Sequence, residues 1–116
     1  VVGAGWYYPE TNALEQDWAT LRGHHVFCNP PWAYARAFAC CASESGAQVS
    51  LLVQAAVGSE WYARYVEPYA AVLFLRPRVR FLLPDGTPMP AGLNRDAMLC
   101  CYGFGERGAE SWRWDE

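Results

Sequence analysis

Apolar and polar positions along the chain fall into blocks of strand and helix period. His25-Val26-Phe27-Cys28 is a short apolar run halted by Asn29-Pro30-Pro31, because proline cannot donate to a strand ladder. Over residues 33–45, Tyr34, Phe38 and Cys41 stand at i, i+4 and i+7. That spacing predicts a helix with those three on its apolar face, ended by Gly46. Residues 49–56 are almost continuously apolar, as in a strand covered on both faces. Ser59 is placed to cap a second helix over 60–67, with Trp61 and Tyr65 four apart and Pro68 as its stop.

A third apolar strand, 70–75, runs into Arg76-Pro77-Arg78-Val79-Arg80-Phe81-Leu82-Leu83. The turn signal Pro84-Asp85-Gly86-Thr87 opens a loop over 84–96, and Ala97–Tyr102 reads as the last strand before a polar tail. Residues 1–22 read as irregular, with a helical turn around 14–18. Strand–helix–strand–helix–strand with a closing hairpin predicts an α/β layered sheet, mostly parallel, with an antiparallel edge hairpin.

Length limits this to a single domain, 1–116: 116 residues and 13.0 kDa suffice for one core. A net charge of -3 excludes a generally basic nucleic-acid coat while leaving room for a local basic stripe. All nine basic residues are arginine. No apolar run approaches the roughly 20 residues that a membrane span needs, and no signal-peptide pattern opens the chain. The five cysteines include the adjacent pairs Cys40-Cys41 and Cys100-Cys101. Neighbours point in different directions and suit neither a disulfide nor a metal site, so reduced, mostly buried thiols in a cytoplasmic protein are expected. His24-His25 has no carboxylate at metal-ligand spacing, and no metal is expected.

One motif is sharp. With 3 Asn, 8 Pro and 18 aromatic residues in the chain, Asn-Pro-Pro-aromatic arises by chance about 0.002 times, and Asn29-Pro30-Pro31-Trp32 sits between a strand and a helix. Ligands of open α/β sheets bind at the carboxyl ends of strands, where this motif falls. Two prolines stiffen the loop, so the Asn29 side chain and the Pro30 carbonyl are held as neutral acceptors for an amino group carrying two hydrogens. Acceptors of that kind keep the nitrogen lone pair aimed at an electrophile, and Trp32 offers a flat face for a planar base or amide. Stacking of that type is worth about 1–3 kcal/mol, comparable with the cost of drawing a base from a duplex.

Asn29-Pro30-Pro31-Trp32 resembles the catalytic motif of S-adenosylmethionine-dependent amino methyltransferases. Together with Asn12-Ala13-Leu14-Glu15-Gln16-Asp17-Trp18 and Val26-Phe27-Cys28, it resembles the phage-type DNA N-6-adenine methyltransferases. Trp61-Tyr62 matches an aromatic pair of that family, and Arg78-Val79-Arg80-Phe81 is similar to its basic segment, with Pro77 in place of a glycine. The resemblance spans about residues 7–103 and implies a Rossmann-like three-layer sandwich. It also implies methyl transfer from S-adenosylmethionine to the exocyclic amine of adenine in double-stranded DNA, inside a bacterial or phage-infected cell. Asn29 and Pro30 would hold the amine and Trp32 would stack on the flipped base, with Pro31 completing the loop. The family's acidic, cysteine-containing cofactor segment has no counterpart before Trp6, so the domain is expected to be incomplete at its N-terminus and its cofactor residues are not assigned. RNA adenine or a glutamine amide offers a similar planar amine, and a non-catalytic DNA-binding remnant is a third reading.

Arg76, Arg78 and Arg80 alternate; in one extended strand they share a face and could follow phosphates, or they could form a solvated strand edge. The six tryptophans have no regular spacing, and core packing or contacts of the tail account for most of them.

Overall fold

The computed structural model describes Leu14, residues 16–79, 85–87 and 95–115. Five strands form one sheet: β1 (His25–Cys28), β2 (Gln48–Gln54), β3 (Ala70–Arg76), β4 (Ala97–Tyr102) and β5 (Gly108–Arg113). Their order is β1-β2-β4-β3-β5. β1 pairs with β2 and β3 with β5 in parallel, while β4 runs antiparallel to both β2 and β3. The sheet is therefore mixed, and its reversed strand lies in the interior, where an edge hairpin was expected. β1, β2 and β3 share one direction, so their carboxyl ends lie along a single margin of the sheet.

Two helices, α1 (Ala35–Ser45) and α2 (Glu60–Tyr65), follow β1 and β2. Their buried residues Ala39, Ala42 and Tyr62, with Val66 at the C-cap of α2, share a core with Val26, Val49, Leu51, Val53, Val72, Met98 and Cys100. The strand residues of that core stand in register on one face. On the opposite face Phe27, Leu52, Leu73, Leu99 and Trp112 are half-buried or exposed. The described residues thus supply the sheet and one helical layer of the expected three. No helix among them is long and apolar enough to cross a membrane.

Three expectations need correction. The inward stripe of α1 is Ala35, Ala39 and Ala42, whereas Tyr34 precedes the helix and is 55% exposed. Alanines let the helix axis lie close to β2, a placement the larger Tyr–Phe–Cys stripe would obstruct; Phe38 and Cys41 pack only partly against the core. Ala97–Tyr102 is not the last strand, since within the polar tail Gly108–Arg113 pairs with β3 as an exposed edge strand. Finally, β3 stops at Arg76 rather than running on through the arginine segment.

Caps match local chemistry. Gly46 adopts the left-handed conformation at the end of α1 (φ 72°), and the Ser59 hydroxyl accepts from the Tyr62 amide at 3.2 Å. Tyr102, 2% exposed, donates its phenolic hydroxyl to the Tyr65 carbonyl at 2.8 Å and so ties β4 to the end of α2. Burial holds that phenol well above its ordinary pKa. Tyr102→Phe keeps the ring but strands a carbonyl, and should cost about 1–2 kcal/mol in urea unfolding; an unchanged midpoint would show that the bond contributes nothing.

Candidate functional site

β1 delivers the Asn29 loop to the carboxyl margin of the sheet. Asn29 is exposed just beyond Cys28, while Pro30 is buried and anchors the loop from beneath. Pro31 is extended (φ -54°, ψ 135°), and its carbonyl accepts from the Tyr34 amide at 2.9 Å. That bond closes a 3-10 turn, Trp32–Tyr34, which leads directly into α1. The prolines supply fixed φ angles and the turn supplies the change of direction, so Asn29 and Trp32 are presented from a stiff corner.

The helix behind this corner is held at both ends by the segment preceding β1. Trp18 is buried and meets Phe38 edge-on, with ring centroids 5.8 Å apart at 74°. Asp17 caps the 3-10 turn Trp18–Leu21 by accepting from the Ala19 amide at 3.0 Å. Arg22 Nε donates to the Ser45 carbonyl at 3.0 Å, satisfying an acceptor at the end of α1. Leu14, Gln16, Asp17 and Trp18 of the Asn12–Trp18 stretch are described; Asn12, Ala13 and Glu15 lie outside the described residues, as does Trp6. Arg22 was not legible in the sequence, since its partner is a backbone carbonyl 23 positions away.

The thiol beside the loop is not a base. Burial raises Cys28 from the ordinary value of 9.0 to about 11, so it is protonated at neutral pH. Cys100 is raised to about 12 for the same reason. All five cysteines are unpaired; Cys100 is buried and the other four are half-buried, fewer than expected. His25 has a structural setting: its Nε2 lies 2.9 Å from the Ser50 hydroxyl and its ring meets Phe104 edge-on at 5.2 Å.

Because β1 and β3 run the same way, Arg76 leaves the sheet at the margin that carries Asn29. Three strand spacings, about 14 Å, separate β1 from β3, and with Cys28 level with Val72 through β2 and β4, Arg76 lies about 10 Å farther along the strand direction than Asn29. Arg76 is exposed, and among the described residues its guanidinium makes no hydrogen bond or ion pair. Arg78 lies beyond the strand, with Nε 2.9 Å from Asp96 Oδ1. Arg76 and Arg78 are not successive positions on one strand, because β3 ends at Arg76, and Arg80 lies outside the described residues. Trp114 holds this exit in place by donating its amide to the Arg76 carbonyl at 3.1 Å and its indole N–H to the Pro77 carbonyl at 2.6 Å. Most of the 84–96 loop is likewise not described; within it, Asp85 accepts from the Thr87 hydroxyl at 2.7 Å.

Comparison with known proteins gives a family. A model described as DNA N-6-adenine-methyltransferase (Dam) matches residues 2–102, and the chain belongs to that family. No curated protein and no solved structure matches the chain.

The thiol environment gives a direct check on the site. With a maleimide at pH 8, native Cys28 should react more slowly than Cys40, because burial holds its thiol protonated, and the buried Cys100 should label only after denaturation. Native labelling of Cys28 as fast as Cys40 would contradict the raised pKa of the thiol beside the loop.

Proposed function

We propose that this chain carries the amine-presenting site of a DNA adenine methyltransferase, which transfers a methyl group from S-adenosylmethionine to the exocyclic amine of adenine. The observation that carries the reading is the Asn29–Trp32 corner at the strand margin of a chain belonging to the DNA N-6-adenine-methyltransferase family. A Rossmann-like sheet is part of the same proposal; three strands that share a direction and end along one margin support it.

In this mechanism the Asn29 side-chain oxygen and the Pro30 carbonyl accept the two amine hydrogens. Pro31 keeps both acceptors in place, and Trp32 stacks on the extruded adenine. Accepting both hydrogens draws the lone pair out of conjugation with the ring and raises its nucleophilicity. The Cys28 thiol, held protonated by burial, is not available as a base, so the proton released from the methylated amine would pass to water. Bound S-adenosylmethionine would supply an electrophilic methyl carbon, whose bond to the sulfonium sulfur breaks to leave a neutral thioether. Among the described residues, the groups gathered at this margin are amine acceptors and arginines, and Asp96 is engaged by Arg78. They present no set suited to a nucleoside and an amino-acid tail, so what they do chemically is confined to the acceptor side.

Double-stranded DNA is the proposed partner, with Arg76 and Arg78 as phosphate contacts and Arg80 as a third from sequence. The setting is the cytoplasm of a bacterial or phage-infected cell. A single domain spanning 1–116 belongs to the same reading. A sheet face without a helical layer among the described residues favours a second reading, a DNA-binding unit that retains the fold without catalysis. The loop also suits an RNA adenine or a glutamine amide, since each offers the same planar amine.

Incubation with methyl-labelled S-adenosylmethionine and unmethylated DNA tests the proposal. Label should enter DNA with the native chain, fall at least about 100-fold with Asn29→Ala, and survive in part with Asn29→Asp, which still offers an oxygen acceptor. DNA left unlabelled by the native chain, or equal labelling by Asn29→Ala, would overturn the assignment.

A further inference from the structure

The arginines sort sharply by what they already hold. Arg22 is bonded to the Ser45 carbonyl, Arg64 to Glu60, Arg78 to Asp96, Arg107 to the Pro68 carbonyl, and Arg113 to Asp115. Arg95 also has a partner. Among the described residues, Arg36 and Arg76 alone have guanidiniums with no hydrogen bond or ion pair. A free guanidinium meets a phosphate without first breaking an ion pair, and its planar fork matches two phosphate oxygens.

Arg36 lies four residues beyond Trp32, in the first turn of α1. With Tyr34, Cys40 and Tyr65 it lines a surface groove of about 340 Å³ between the outer sides of α1 and α2. Tyr34 is 55% exposed, although aromatic side chains are normally covered. The groove therefore combines an unengaged cation with two aromatic rings, Tyr34 and Tyr65, and its lining begins at Ala33, next in the chain to the corner formed by Asn29 and Trp32. Phosphate contacts combined with stacking surfaces are the general chemistry of a nucleic-acid strand track.

We infer that the α1–α2 groove holds the phosphodiester backbone of the DNA strand carrying the target adenine, with Arg36 on a phosphate and Tyr34 against the adjoining nucleotide. This rests on the DNA reading above. Arg76 meets the duplex on the sheet side of the loop, and Arg36 meets it on the helix side. The extruded base is thereby held from both directions while Trp32 receives its ring.

Fluorescence anisotropy with a labelled duplex containing one unpaired adenine, across a series of salt concentrations, separates the possibilities. Arg36→Gln should weaken binding about tenfold and lower the slope of log K against log salt by about 1. Arg36→Lys should keep the slope. Tyr34→Ala should weaken binding with the slope unchanged, because stacking releases no counterion. Arg107→Gln, at the opposite end of the sheet, should match the native protein. Circular dichroism melts that coincide would show that the variants are folded. A native chain that binds the duplex while Arg36→Gln binds equally well with an equal slope would overturn the groove alone. A native chain that does not bind the duplex would overturn the DNA reading and the groove together.

Discussion

The seat of α1 against β2 is the contact on which the rest depends. Ala35, Ala39 and Ala42 are all at most 3% exposed and meet a strand face built from Val49, Leu51 and Val53. Small residues on the helix and branched ones on the strand let the two approach closely without voids. The axis of α1 fixes where its first turn begins, and hence where the preceding corner presents Asn29 and Trp32. The Trp18–Phe38 contact and the Arg22–Ser45 bond act on the same helix, so the segment before β1 stabilises the element that positions the site. A larger residue at Ala39 would move the corner as well as the core.

The corner itself was legible because its information is local. Two prolines and an asparagine between a strand and a helix define a backbone shape and a set of acceptors without reference to the rest of the chain. The strands β1 to β4 and the caps at Ser59 and Gly46 were legible for similar reasons. The buried face of α1 was not: large residues at helical spacing suggested one stripe, while the space against β2 admitted another. β5 was illegible because Gly108–Arg113 carries no strict alternation and gains its conformation by pairing with β3. The interior position of β4 depends on pairing across the whole sheet, which no local window encodes. The arginine segment misled for a further reason, since an alternating pattern implies a shared face only while the strand continues, and β3 ends at Arg76.

Charge placement reconciles an acidic chain with an anionic partner. The net charge is -3, whereas the two guanidiniums unengaged among the described residues both lie near the margin that carries the Asn29 corner. Local fields near phosphate depend on that arrangement more than on the total. On the proposed reading, the protonated Cys28 and the neutral acceptors keep negative charge away from the amine. The chemistry that reading asks of the loop is orientation of a weak nucleophile and not its deprotonation, which suits a rigid corner better than a titrating side chain.

The central claim, that the Asn29 corner presents the exocyclic amine of adenine, is tested most directly by the identity of the methylated atom. Unmethylated DNA treated with the protein and S-adenosylmethionine can be digested to nucleosides and resolved by mass spectrometry. The account predicts methyl on the exocyclic nitrogen of adenine, absent when Asn29→Ala replaces the native chain. Methylation confined to cytosine, to a ring nitrogen, or to RNA or protein under the same conditions would contradict it.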